Sequence, residues 1–134
     1  MHIAPLILSA AVMAAMANAT STNGTFGLSF DWGDLELCTS GIPNLVPSPT
    51  FEVSNVPAGT ARIRFELIDR DAPGYAHGGG TVDYSGRETI AAGAFAYKSP
   101  CPPNSPHTYE WRATALAADG RTALGHAMAT SVYP

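Results

Sequence analysis

Basic residues are scarce in this chain, which has 7 Lys and Arg against 11 Asp and Glu and a net charge of −4. A nucleic-acid partner would require a clustered basic face, and this composition argues against one. It also argues against electrostatic attraction to anionic membranes. Charged residues of both signs make up only 13% of the chain, which is too few for a disordered acidic segment.

Lys, Arg, Asp and Glu are absent from residues 1–19. Ile3–Met16 is almost wholly apolar and is followed by Ala17-Asn18-Ala19, a small-x-small triplet that signal peptidase accepts. The apolar run is shorter than the roughly 20 residues that span a bilayer, and an uncleaved anchor is the alternative. We predict a signal peptide over residues 1–19, cleaved after Ala19, and a secreted or periplasmic protein whose single domain is residues 20–134.

Cysteine is limited to Cys38 and Cys101, both in the part predicted to be exported. An oxidising compartment permits them to form a disulfide, and two separate buried thiols are the alternative. The bond would close a long loop and, on the chain-entropy model, stabilise the fold by roughly 4 kcal/mol.

Alternation of apolar and polar residues predicts several strands. It is clearest over Ile63, Phe65 and Leu67, and it recurs over Phe26–Trp32 and from His107 onward. The stretch from Ala123 to Ser131 fits either a short helix or a final strand. Short strands separated by Gly and Pro are typical of a sandwich or barrel, so we predict an all-β, sandwich-like fold with at most one short C-terminal helix.

Two carboxylates follow the clearest strand. Asp69 and Asp71 are two residues apart, so they point to the same side and can accept hydrogen bonds from a ligand or hold a histidine. The alternative is a turn in which they cap free backbone N–H groups. His107 opens a predicted strand and shares a face with Tyr109, and imidazole and phenol can both donate to an anion.

Three further features allow both a functional and a structural interpretation. His77 is either a ligand-binding or a structural histidine, whereas His126 is expected to be structural. Gly78-Gly79-Gly80 is either an anion-binding nest of N–H groups or a mobile turn. Pro100-Cys101-Pro102-Pro103 is either the rigid wall of a preformed pocket or a surface loop.

Five segments in this order resemble the phosphatidylethanolamine-binding protein family, and in particular its bacterial members similar to Raf kinase inhibitor protein. The segments are Cys38–Asn44 with Ser48-Pro49, Val56-Pro57-Ala58-Gly59-Thr60, Asp69-Arg70-Asp71-Ala72-Pro73, Gly74-Tyr75-Ala76-His77, and Pro100-Cys101-Pro102-Pro103 followed by His107-Thr108-Tyr109.

The resemblance implies a β-sandwich-like fold with a small surface pocket for phosphate or a phosphorylated head group. The residues at the matching positions are Asp69, Asp71, His77, His107 and Tyr109, with Pro102 and Pro103 in the wall. The family is not generally enzymatic, so the resemblance implies no catalysis and no cofactor. Its members are linked to phospholipid binding, to inhibition of kinases or proteases, and to signalling.

The sequence departs from the family pattern around the pocket. Arg70 replaces a proline, Ser99 a glycine and Thr108 an arginine, while Ala76 and Gly78 replace aromatic residues. We therefore expect a wider and looser pocket, lined in part by Gly78-Gly79-Gly80, with weakened affinity for phosphorylated lipid.

The leading hypothesis is an exported binding protein for a small anion. One alternative is a module that binds a protein partner and inhibits a protease or kinase. The other is a hydrolase whose Asp and His residues bind Zn²⁺ or Mn²⁺, although the chain lacks a tight ligand spacing such as His-x-x-x-His. Neither the oligomeric state nor the physiological ligand follows from the sequence.

Overall fold

A computed structural model describes residues 24–134, and the predicted signal peptide lies outside this range. The described part of the chain contains nine strands and no helix, and hence no helix that could cross a membrane. The strands are β1 (Gly27–Phe30), β2 (Leu45–Pro47), β3 (Phe51–Ser54), β4 (Arg62–Asp69), β5 (Gly79–Asp83), β6 (Thr89–Ile90), β7 (Ala96–Lys98), β8 (His107–Leu116) and β9 (Ala123–Tyr133).

The strands form three antiparallel sheets. The largest has the order β5-β4-β8-β9, a second has the order β1-β3-β6, and β2 pairs with β7. Strand β4 is central to the largest sheet because it pairs with β5 on one side and β8 on the other. The all-β prediction is therefore confirmed.

The alternation in β4 places its two sets of side chains on opposite faces. Ile63, Phe65 and Leu67 are buried, whereas Arg62 and Arg64 are exposed. Successive side chains of a strand point to opposite faces, so the apolar set covers the core and the charged set meets water.

Aromatic rings join the two larger sheets across the core. Phe51 of β3 stacks on Phe65 of β4 with ring centroids 4.3 Å apart, and Trp111 of β8 meets Phe51 edge-on at 5.1 Å. All three side chains are almost fully buried. Aromatic pairs of this kind add about 0.5–1.5 kcal/mol beyond the burial of their area.

The C-terminal segment is a strand, which decides between the two structures expected for it. Strand β9 pairs with β8 along its length, and its inward-facing positions include Ala127 and Ala129. Ala and Met favour helices, but pairing with β8 overrides that preference here. Tyr133 ends the strand with a buried side chain.

We predict that Phe51→Ala destabilises the fold by about 3–5 kcal/mol, because it leaves a cavity between two sheets that the ring now fills. The measurement is the urea midpoint of the oxidised protein. Leu45→Ala is the control, since the Leu45 side chain is 71% exposed and its removal costs less than about 0.5 kcal/mol. Equal effects of the two substitutions would contradict the packing described above.

Candidate functional site

The register between β4 and β8 brings the predicted site residues together. Asp69 is the last residue of β4 and lies opposite Tyr109 of β8. His107 is two residues before Tyr109 on the same face of β8, at the point where that strand begins. One end of the central strand pair of the largest sheet therefore carries a carboxylate, an imidazole and a phenol.

Asp69 holds His107 in place. The imidazole Nδ1 lies 2.6 Å from Asp69 Oδ2, and since a carboxylate accepts, Nδ1 is the donor. The other oxygen of Asp69, Oδ1, accepts the backbone N–H of Asp71 at 2.9 Å. Both oxygens of this buried carboxylate are thus engaged, and the Nε2 atom of His107 remains to meet a ligand.

Asp71 caps a backbone N–H group, which was the structural alternative expected for Asp69 and Asp71. Its Oδ2 accepts the backbone N–H of Thr108 at 2.8 Å, which fastens the loop after β4 to the start of β8. Asp71 is exposed and does not line the cavity described below. Asp69 therefore holds a histidine and also caps a backbone N–H, whereas Asp71 only caps one.

His77 comes from the segment between β4 and β5 and is 3% exposed. Its Nδ1 lies 2.7 Å from the carbonyl oxygen of Lys98, so this nitrogen carries the proton of the neutral ring. Burial lowers the pKa of His77 below its usual 6.5, and this outweighs the opposing effects of the Lys98 carbonyl and Asp69. His77 is therefore a neutral imidazole at pH 7.

Tyr109 lies between the two histidines. Its ring meets His77 edge-on with centroids 5.6 Å apart and lies 6.2 Å from the ring of His107. Burial, and secondarily the Asp69 carboxylate, raises the pKa of Tyr109. The phenol consequently keeps its proton at any physiological pH, with the Asp69 carboxylate beside it.

A disulfide between Cys38 and Cys101 supplies the opposite wall. The pairing predicted from the compartment is present, and the Cα atoms lie 4.7 Å apart. It brings the segment after Cys38 against Pro102 and Pro103. The Cβ position at Gly41 is 3.3 Å from Pro103. A rigid wall of this kind loses little entropy when a ligand binds.

These groups enclose a cavity of about 110 Å³. Six of the seven predicted ligand residues line it, with Asp71 outside. The lining residues are Gly41, Pro43, Asp69, Ala72, Tyr75, His77, Cys101, Pro102, Pro103, His107 and Tyr109. That these residues bind a ligand stays a prediction, but the structure gathers them around one space.

Tyr75 is one of the lining residues that the sequence did not single out as a ligand. Its side chain is 40% exposed and its ring centroid lies 4.7 Å from that of His77. Its position two residues before a candidate ligand was the available signal. Gly41 and Pro43 were also missed, and their signal was the disulfide, which predicts that the chain beside Cys38 lies against the chain beside Cys101.

The expectation that Gly78-Gly79-Gly80 lines the pocket is wrong. Gly79 and Gly80 begin β5, where a Cβ at Gly79 would lie 1.9 Å from the carbonyl oxygen of Phe65 and one at Gly80 would lie 2.6 Å from the Phe95 side chain. The glycines let β5 pair closely with β4 beneath Phe95. Gly79 and Gly80 therefore serve strand packing.

Arg70, which replaces a proline of the family pattern, acts on the outer face of the sheet. Its Nη2 donates to Oε1 of Glu110 at 2.6 Å, and Arg112 donates to the other oxygen of the same carboxylate. Arg112, and with it Arg70, holds the pKa of Glu110 below its usual range despite burial. Arg70 therefore stabilises a buried charge and does not line the cavity.

The cluster also contains atoms that could ligate a metal. Ligand atoms of Asp69, Asp71 and His107 lie within 4.8 Å of one another. A metal bound through Nδ1 would have to replace the proton shared between His107 and Asp69. His77 is not part of this group, so the predicted set of two Asp and two His is not assembled around one point.

Comparison with known proteins identifies the fold. No protein-family model and no curated protein matches the chain. Among solved structures, E. coli YbcL, described as a new member of the mammalian phosphatidylethanolamine-binding protein family, is similar with a TM-score of 0.60 and 18% identity, over 82% of this chain and 98% of that chain. A putative phosphatidylethanolamine-binding protein homolog from Chlamydia trachomatis is similar with a TM-score of 0.56 and 15% identity, over 84% and 99%. The chain has the phosphatidylethanolamine-binding protein fold, as the sequence resemblance predicted.

We predict that His77 makes the stability of the protein depend on pH. Its pKa is lower in the folded state than the 6.5 of an unfolded chain, so the unfolded state binds more protons below about pH 6.5. The contribution of His77 is fully present above about pH 6.5 and is lost as the pH falls from there toward the folded pKa.

Thermal unfolding between about pH 7.5 and 5.5 measures this effect. His77→Asn keeps a donor for the Lys98 carbonyl but does not titrate, so its Tm should fall less steeply than that of wild type. His126→Gln, which changes an exposed histidine on β9, is the control and should retain the wild-type slope. If the Tm of His77→Asn fell with pH as steeply as that of wild type, His77 would not be the source of the pH dependence.

Proposed function

We propose that this protein binds a small oxyanion, either free phosphate or the phosphorylated head group of a lipid, and that it acts by binding and not by catalysis. The observation that carries the proposal is the convergence of His77, His107 and Tyr109 on one cavity with fixed walls. Each brings a polar hydrogen suited to an anionic oxygen when the imidazoles are protonated.

The size of the cavity favours a head group over a whole lipid. Its volume of about 110 Å³ is well below the roughly 300–1,000 Å³ of sites that take drug-sized ligands. A phosphate or phosphoethanolamine would fit with its oxygens inside and the rest of the molecule in solvent. The names of the two similar proteins, which refer to phosphatidylethanolamine, support the same ligand chemistry.

The charge of the cavity predicts that the anion binds together with a proton. No Lys or Arg lines the cavity, and its carboxylate, Asp69, is already held by His107 and the backbone of Asp71. His77 is neutral at pH 7 because burial lowers its pKa. An anion beside it favours the imidazolium, so binding raises the pKa of His77 and takes up a proton.

The expected result is that phosphate and phosphoethanolamine bind more tightly at about pH 6 than at pH 8. Calorimetric titration in two buffers with different ionisation enthalpies should show net proton uptake on binding. His107→Gln should weaken binding by about tenfold or more, because it removes the imidazole that Asp69 holds at the cavity. His126→Gln is the matched control and should bind as wild type does.

Two results would overturn the proposal. One is the absence of heat and of thermal stabilisation with every oxyanion tried. The other is a His107→Gln variant that binds as tightly as wild type. Phosphate binding without any preference for phosphoethanolamine would indicate free phosphate, and capture of the protein by vesicles that contain phosphatidylethanolamine would indicate the lipid.

A metal centre is the second candidate, because ligand atoms of Asp69, Asp71 and His107 lie close together. Metal analysis of protein purified without chelator distinguishes the two functions. A stoichiometric metal that Asp71→Asn removes would favour hydrolysis. Asp71 does not line the cavity, so its substitution should leave anion binding within about twofold of wild type if the oxyanion proposal holds.

We propose further that the protein is exported. The signal-peptidase triplet Ala17-Asn18-Ala19 and the Cys38–Cys101 disulfide support this, since disulfides persist in oxidising compartments. Expression of the full chain in a bacterium should yield mature protein outside the cytoplasm that begins at Thr20, as measured by intact mass. Ala19→Phe should block cleavage, because signal peptidase accepts only small side chains there. A full-length, cytoplasmic wild-type product would contradict export.

A further inference from the structure

A second cavity of the described chain, larger than the histidine cavity, lies away from it. It is a groove of about 780 Å³ between β1 with the segment that follows it and the stretch from β2 to β3. Its volume is within the range of about 300–1,000 Å³ that is typical of ligand sites. Its apolar walls are Phe30, Trp32, Leu35, Val46, Pro47 and Pro49.

Every charged residue that lines the groove is acidic: Asp31, Asp34, Glu36 and Glu52. No Lys or Arg occurs in the chain before Arg62, so the segments that build the groove bring no cation with them. The other seven acidic residues equal the 7 Lys and Arg in number. Because those seven acidic residues and the seven basic residues cancel, the net charge of −4 equals the summed charge of the four groove carboxylates.

These four carboxylates are also unpaired. Within residues 24–134 the ion pairs involve Asp83, Glu110 and Asp69, and none involves a groove carboxylate. Asp31 accepts a hydrogen bond from the backbone N–H of Gly33 at 2.7 Å, and Glu52 accepts one from the Thr89 hydroxyl at 2.9 Å. Because both donors are neutral, they do not cancel the negative charge of Asp31 and Glu52. That charge remains available to a cationic partner.

One wall of the groove is an aromatic surface held in place by the core. Trp32 donates from Nε1 to the Val132 carbonyl at 3.3 Å, and its ring meets those of Tyr133 and Tyr109 edge-on at 5.7 and 5.8 Å. The ring is half-buried and needs no ordering when a ligand arrives. An aromatic face beside carboxylates also attracts cations through its quadrupole.

We propose that this groove binds an extended segment of a partner protein in which Lys or Arg residues alternate with apolar residues. Four carboxylates distributed along the groove match several separated cations better than one. The apolar walls match side chains that a simple polyamine lacks. A one-signed cleft also attracts such a partner over a distance, and salt weakens that attraction.

The groove and the histidine cavity have different lining residues, so this inference does not depend on the oxyanion proposal. Failure of phosphate binding would leave it intact. Substitutions in the groove change no residue that lines the histidine cavity. The Tm and the near-UV circular dichroism of the groove variant show whether that variant is otherwise native, whatever the outcome of the phosphate titration.

The test uses an acetylated, amidated octapeptide in which Lys alternates with Leu and Pro, labelled with a fluorophore, and measures its anisotropy at low salt. The groove variant is Asp31→Asn, Asp34→Asn and Glu36→Gln together. The control is Glu66→Gln, Asp83→Asn and Glu88→Gln, which removes the same charge elsewhere. We expect affinity to fall about tenfold in the groove variant and less than about twofold in the control.

Fluorescence of unlabelled protein gives a second measurement that does not depend on the variants. The chain has two tryptophans, of which Trp111 is fully buried and Trp32 lines the groove. Binding of the unlabelled Lys peptide should shift the emission, whereas the same peptide with Glu in place of Lys should not.

An equal loss of peptide affinity in both triple variants would mean that the peptide is attracted by the overall negative charge of the protein. That result would overturn the assignment of the peptide to the groove. So would the absence of an emission shift with the Lys peptide. Spermine binding as tightly as the peptide, with the same loss in the groove variant, would identify a site for small polyamines and would overturn the peptide assignment.

Discussion

The antiparallel register between β4 and β8 is the constraint on which both the core and the site depend. It sets Leu67 opposite Trp111 and Asp69 opposite Tyr109. A shift of one residue would turn every side chain of β8 to the other face. Trp111 would then leave the core, and His107 would leave Asp69. The hydrophobic burial of Trp111 thus fixes the hydrogen bond between Asp69 and His107, which lies at the nearby end of the same strand pair.

The irregular chain before β2 depends on a second set of bonds, because it has little strand pairing of its own. The disulfide joins Cys38 to Cys101, and Tyr133 accepts the backbone N–H of Cys38 at 2.8 Å. Ser99, where the family pattern has glycine, accepts the backbone N–H of Asn44 at 3.0 Å through its hydroxyl. These contacts hold the segment that carries Gly41 and Pro43 against the proline wall, and so they complete the cavity.

Sequence alone predicted the parts of the molecule that rest on local pattern. The alternation around Phe65 is strong enough to identify its strand, and so is that from His107 onward. Residues that act through distant contacts were harder to predict. Gly80 looked like part of a flexible turn because nothing in its neighbourhood indicates the ring of Phe95, which packs over it. Tyr75 was missed because its relation to His77 depends on the path of a loop.

Burial separates the carboxylates of this protein into two kinds. Asp69 and Glu110 are buried, and both oxygens of each accept hydrogen bonds, since an unpaired charge in the interior is costly. The four groove carboxylates are exposed, where water makes pairing unnecessary, and they remain available for a partner. The tyrosine–tryptophan contact between Tyr109 and Trp32 lies between the two regions. One aromatic layer therefore supports both a cavity whose carboxylate is hydrogen-bonded from within and a groove whose carboxylates are open to a partner from outside.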